Sequence, residues 1–251
     1  MSQAVYVAWR SGAPDGGRWG PVGRLEHGSS GYRFVYTRGA KTVPGFAPFA
    51  GMPDLQGVYE SDELLPLFAN RLLAKSRPEY EAYLRWGGFD PNSPPDPLAI
   101  LAVTEGRRQT DLLEIFACPA PDASGCYVGK FFLHGVQRVG PESRARIERL
   151  APDEELRLLE EPENPHDRNA VRILTKDNYH VGYVPRYLAY DVGQLAGGRG
   201  AEFVKLHVER VNPDAPLQQR LLCRVDACWP AGFQPCSGEE FQPIVGALTP
   251  V

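Results

Sequence analysis

LLEEPENPHDRNAVRILTKDNYHVGYVPRYLA, residues 158–189, is the stretch whose reading decides how the second half of this chain folds. Pro162, Pro165, Asn164, Asp167 and Asn169 crowd the positions just before the chain turns apolar at Val171. Asn and Asp side chains bond backbone groups about two residues ahead, so residues 161–170 predict a loop that stiffens itself. AVRILT then alternates with a period of two, Asp177-Asn178 marks a turn, and YHVGYVP alternates again, which together predict a β-hairpin. PRYLAYDVGQLAGG follows as a helix with Leu188, Val192 and Leu195 on one face and Gly197-Gly198 as its stop. The loop has a second possible use. Lying beside a strand end, it would set His166 and Asp167 on a rim, where an imidazole can stack on a base and a carboxylate can meet a sugar hydroxyl.

Outward from this stretch the pattern stays rich in strands. Upstream, CYVGKFFLHGVQRV reads as a strand, and PESRARIERLAPDEELRLLEEP as a short helix followed by a strand; downstream, AEFVKLHVERV and QQRLLCRVDACW alternate. The first half opens with AVYVAWR, GPVGRLEHG and GYRFVYT, three short strands that suggest an antiparallel meander, with the Gly-rich run over 12–20 as a flexible hairpin loop. Three helices are then expected: SDELLPLFANRLLAK capped by Ser61, SRPEYEAYLRW capped by Ser76 and stopped at Gly87-Gly88, and PLAILAVTEG capped by Asp96. TDLLEIFACP reads as one more strand. The interrupted stretch CPAPDASG is the best linker.

The expected fold class is α+β and mostly β. An N-terminal domain over 1–118 carries a small antiparallel sheet with about three helices. A linker covers 119–126, a small β-barrel with one or two helices covers 127–231, and a tail over 232–251 is a surface wrap or disordered. At 251 residues, two domains are the better expectation, since single domains run to roughly 100–200 residues.

Composition narrows the function classes. The net charge of −4 lacks the footprint of a strong non-specific DNA binder, so any nucleic-acid contact must be local. There is no charged n-region followed by an apolar run, and no run of 18 apolar residues, so the expectation is a cytoplasmic protein without a membrane span. Five cysteines, at 118, 126, 223, 228 and 236, contain no C-x-x-C pair and read as reduced, mostly buried thiols. Cys223 and Cys228 fall on one alternating strand with offset parity and would face opposite sides. His166-Asp167 is not accompanied by further ligands at metal-binding spacing, and neither a G-x-S-x-G elbow nor a phosphate-binding P-loop occurs. The expectation is no metal, no cofactor and no catalysis.

The order Glu161-Pro162, Asn164-Pro165, Asp167, Asn169-Ala170, then a strand, then Val181-Gly182-Tyr183-Val184-Pro185 leading into a helix, resembles the HIRAN domain. FLHGVQRV, with Gly135 at the first turn, fits as well, and the likeness runs from about Tyr127 to Trp229. HIRAN domains are small β-barrels found in some DNA-repair helicases and in bacterial proteins. The resemblance implies binding of single-stranded DNA at a free 3' end. Carried over by position, Asp167 would meet the 3'-hydroxyl, His166 would take the place of a stacking Tyr, Arg186 would hold a phosphate and Tyr183 would line the same concavity. Asn169 and Tyr187 complete the candidate set with Gln137 and Arg138, which stand where DNA-binding members have an Arg followed by an aromatic. Arg138, Arg168, Arg172 and Arg186 are candidates for a local basic patch.

VGRLEHGSSGYRFVYT, followed by FANRLL, is similar to the small N-terminal subdomain of HipA-type toxin kinases, which implies a docking module that recruits a protein partner. Two functions follow. One is a DNA-end binding module. The other is an antitoxin-like or genome-defence interaction subunit whose HIRAN concavity no longer binds DNA.

Overall fold

The computed structural model describes residues 3–12, 19–108, 111–197, 204–230 and 232–246. Its elements run β1 (Gln3–Arg10), β2 (Trp19–Gly28), β3 (Gly31–Tyr36), β4 (Val58–Ser61), α1 (Pro66–Ala69), α2 (Tyr80–Trp86), α3 (Pro97–Thr104) and β5 (Leu113–Phe116). They continue with β6 (Cys126–Phe132), α4 (Pro141–Ile147), β7 (Glu155–Glu160), β8 (Val171–Leu174), β9 (His180–Tyr183), α5 (Arg186–Gly197), β10 (Val204–Val211) and β11 (Leu221–Cys228). This is the mostly-β α+β class expected from the alternating sequence pattern. Two compact units emerge: residues 1–80, 95–118 and 234–251 form one, and residues 81–94 and 119–233 the other.

In the first unit the strands lie in the order β4-β3-β2-β1-β5, every described pairing antiparallel. Alternation places Val5, Val7, Leu25, Phe34 and Tyr36 in a common core with Phe68, Leu98, Leu101 and Ile115. Asp96 caps α3 by accepting from Leu98 N at 2.8 Å, with Pro97 at the first helical position where its missing N–H costs nothing. The helix expected from Ser61 does not form. Ser61 instead ends β4, paired with Tyr32. Pro66 disfavours the helical conformation at the residue before it, and Leu65 accordingly sits at φ −51°, ψ 139°, so the helix starts only at Pro66 and lasts one turn. The second helix likewise starts at Tyr80, beyond Ser76 and Pro78, but stops at the expected glycines, where Gly88 adopts φ 75°.

The tail does not hang free over its described part. Arg38 N donates to Gln242 O at 2.8 Å, Ile244 N donates to Tyr36 O at 2.9 Å, and Phe241 packs edge-on to Tyr6 at 5.1 Å. The middle of the expected Gly-rich loop (13–18), the helix stop at Gly198, the start of the following strand (201–203) and the last residues of the tail (247–251) lie outside the described residues.

The second unit is a six-stranded antiparallel sheet in the order β6-β11-β10-β7-β8-β9. Its two outer strands meet at one end. His134, just past β6, exchanges backbone bonds with Tyr183 of β9 at 3.0 and 2.9 Å, which curls the sheet into a partly closed barrel. Gly182 permits this approach: its φ is 152°, and a Cβ there would stand 2.7 Å from the His134 carbonyl oxygen. Leu133, Ile147, Val171, Ile173, Val181, Val208 and Val225 are buried within this unit, and α5 turns Leu188, Val192 and Leu195 inward while Tyr190 faces solvent. Residues 81–94 count with this unit, where the Asn212 side-chain amide donates to the Trp86 carbonyl at 3.1 Å.

Candidate functional site

The loop between β7 and β8 is built by its own polar side chains. Asn164 Oδ1 accepts from the backbone N–H groups of His166 and Asp167 at 3.0 and 3.2 Å, and Asp167 Oδ1 accepts from Asn169 N at 3.0 Å. Backbone bonds from Ala170 N to Asp167 O and from Glu161 N to Ala170 O close the loop. Each of these satisfies an amide that would otherwise point into the turn, as the Asn/Asp-rich sequence predicts.

Two ion pairs fasten this loop to the hairpin and helix behind it. Arg186, at the start of α5, places Nε 2.9 Å from Asp167 Oδ2 and donates from Nη2 to the His166 carbonyl oxygen at 3.3 Å. Glu161 receives the Asn164 side-chain amide on Oε2 at 3.1 Å and pairs through Oε1 with Arg172 of β8. Arg172 lies directly opposite Tyr183 in the β8–β9 ladder. The phenol of Tyr183 is pushed above its ordinary pKa, first by burial and then by its hydrogen bond to Glu161. A connected chain of contacts thus runs Tyr183, Arg172, Glu161, Asn164, His166 and Asp167, Arg186.

Around this chain stand three rings and one turn. His180 meets the Tyr183 ring edge-on at 4.8 Å, and its imidazole is held below the usual pKa by burial and by the charge of Arg172. His134 meets Tyr187 edge-on at 6.2 Å. Tyr183 also lies over Gly135, whose Cβ, if present, would come 3.1 Å from the Tyr183 ring; Gly135 adopts φ 75° and opens the turn that carries Gln137 and Arg138.

The candidate residues therefore divide into sets. His166, Asp167, Asn169 and Arg186 are in direct contact through side chain or backbone. Tyr183 joins them through Arg172 and Glu161, and Gln137 and Arg138 sit exposed on the turn beneath its ring. Tyr187 is buried, at 7% exposure, so it supports the site from within rather than presenting a face. His166 is exposed, which leaves its imidazole accessible for stacking. The four arginines proposed as a patch are not alike. Arg138 and Arg168 are exposed, whereas Arg172 and Arg186 carry carboxylate partners within the protein. Glu161 is the residue whose role sequence reasoning missed: it was legible as a motif position, but its place at the centre of the network follows from the β7–β8 register. Among the described residues no cluster of three or more His, Cys, Asp or Glu forms a metal-binding group, and no helix is long and apolar enough to cross a membrane.

A curled six-stranded sheet, rimmed by a self-bonded acidic loop and carrying a helix that opens on an arginine, makes a small, partly closed β-barrel. The HIRAN domain family model matches residues 127–227, which span β6 to β11 except the last residue at either end, and this segment is a HIRAN domain. Among solved structures, the chain is similar to the crystal structure of the HIRAN domain of human HLTF, with 15% identity over 41% of this chain and 72% of that chain and a TM-score of 0.28. It is also similar to a crystal structure of a protein from Lactobacillus plantarum, with 18% identity over 41% of this chain and 99% of that chain and a TM-score of 0.30. No curated protein matches the chain. The family match begins at residue 127 and lends no support to the HipA-like reading of the first unit.

Proposed function

We propose that the HIRAN domain of this chain is a non-catalytic DNA-binding module that holds the free 3' end of a single strand, and that the first unit recruits a protein partner, as in an assembly for DNA repair or genome defence. The observation that carries this reading is the Asp167–Arg186 pair on a loop already fixed by Asn164, with His166 exposed beside it. A carboxylate oxygen has room for more than one donor, so Asp167 can accept from a terminal hydroxyl while keeping Arg186. The guanidinium then lies where the last phosphate would pass, and the His166 imidazole offers a face to the terminal base. Stacking of that kind contributes about 1–3 kcal/mol per base.

Recognition is local and electrostatically modest. Arg172 and Arg186 are engaged with Glu161 and Asp167, and Gln137 brings no charge, so only a few phosphates exchange counterions and binding weakens along a shallow slope with added salt. The test is a competition between a linear single strand and the same sequence closed into a circle. An end binder prefers the linear strand; equal affinity overturns end recognition. Absence of binding to both at physiological salt supports the other function, an interaction subunit whose concavity no longer takes DNA.

A further inference from the structure

Cys126 opens β6, Cys228 closes β11, and the two face each other across the ladder between those strands. Trp229 N donates to Gly125 O at 2.9 Å. A bond between the residues just outside a facing pair marks a non-hydrogen-bonded antiparallel position, where opposed Cα atoms approach to about 4.5 Å and side chains stand closest. That spacing is within the range a disulfide spans. The sulfur atoms lie 2.6 Å apart; Cys228 is exposed and Cys126 half-buried, whereas Cys223 and Cys236 are buried. The position in the chain is as telling as the geometry. Residue 126 immediately precedes the matched domain and residue 228 immediately follows it.

We propose that Cys126 and Cys228 form a reversible disulfide that ties together the two ends of the HIRAN domain, a redox-modification site whose co-reactant is a small-molecule disulfide such as oxidised glutathione. One cysteine thiolate attacks a sulfur of that disulfide and expels the first small thiolate, leaving a mixed disulfide on the protein. The second cysteine, on losing its proton, attacks the protein sulfur of the mixed disulfide and expels the second small thiolate. The protein pair is oxidised by two electrons, the small disulfide is reduced to two thiols, and the two protons released by the cysteines end on them. The Cys228 thiol is raised above its ordinary value, first by its hydrogen bond with the Cys126 sulfur, so the exchange quickens as pH rises. Closing a loop this long restricts the unfolded chain, so the staple raises thermal stability.

The test is incubation of the full chain with oxidised glutathione at mildly alkaline pH, followed by alkylation, non-reducing peptide mapping and thermal unfolding. The expected result is the loss of two hydrogen atoms, a peptide linked through Cys126 and Cys228, and a melting temperature higher by about 5 °C or more, all reversed by dithiothreitol. Cys126→Ser abolishes the link and the shift, and Cys228→Ala does the same should the serine variant fold poorly. A link through another cysteine, glutathione adducts that persist without a link, or a melting temperature lowered by the link would overturn the proposal.

Discussion

Arg186 grips Asp167 through Nε at 2.9 Å and the carbonyl of the adjacent His166 through Nη2 at 3.3 Å, so a single guanidinium at the start of α5 holds both the acid and the backbone of the ring-bearing residue beside it. Pair and loop are one device: Asn164 shapes the backbone from within, and Arg186 clamps it from behind. Removing either partner of the pair therefore acts on the site and on stability together.

A double-mutant cycle separates the two effects. Asp167 and Arg186 are each about one-fifth exposed, at 19% and 23%. Urea unfolding of Asp167→Ala, Arg186→Ala and the double variant is expected to give a coupling of about 0.5–1 kcal/mol, the upper range for pairs that water still reaches. A coupling near zero would mean that the clamp is not rigid.

Gly182→Ala tests the closure of the barrel. The backbone at φ 152° does not suit an L side chain, and the new Cβ would meet the His134 carbonyl. The variant is expected to lose about 1–3 kcal/mol in chemical denaturation and to lose hydrogen-exchange protection at the His134 and Tyr183 amides. Unchanged protection at those two amides would disprove the account of how the sheet closes.

His180 gives the hairpin a pH dependence of definite sign. Burial and the charge of Arg172 hold the folded-state pKa below the unfolded value, so the unfolded chain binds the proton more readily. The contribution of His180 to stability is thus present above the unfolded value, near 6.5, and lost as pH falls through the folded value. Proton NMR of the imidazole is expected to show a midpoint below that of the urea-unfolded chain, and His180→Gln to flatten the decline in stability between neutral and mildly acidic pH. A midpoint above the unfolded one would reverse the sign.

Much of this architecture was legible in the order of residues, and the exceptions have physical causes. The hairpin of β8 and β9 and the helix α5 follow from a change of period, and Asp96 with Pro97 announces the start of α3. The helix sought at Ser61 fails, although its apolar spacing suits a helical face, because Pro66 holds Leu65 in an extended conformation and Ser61 is taken up by the pairing of β4 with β3. The loop over 161–170 could be read because its bonds are local. The pairings Asp167–Arg186 and Glu161–Arg172 could not, because they depend on how β7, β8 and α5 come together, and two arginines that read as a basic patch are in fact held by carboxylates. Parity along β11 places Cys223 inside and Cys228 outside, but nothing along one strand reveals that Cys126 stands opposite Cys228.

The central claim is that Asp167 receives a terminal hydroxyl, and it is tested most directly by comparing a strand that ends in a 3'-hydroxyl with one that ends in a 3'-phosphate, on the wild-type chain and on Asp167→Ala. A hydrogen bond to a charged group contributes about 1.5 kcal/mol, so the wild-type chain is expected to favour the hydroxyl end by roughly tenfold and the variant to bind both ends alike. Equal affinities in the wild-type chain, or a preference that survives in Asp167→Ala, would contradict it.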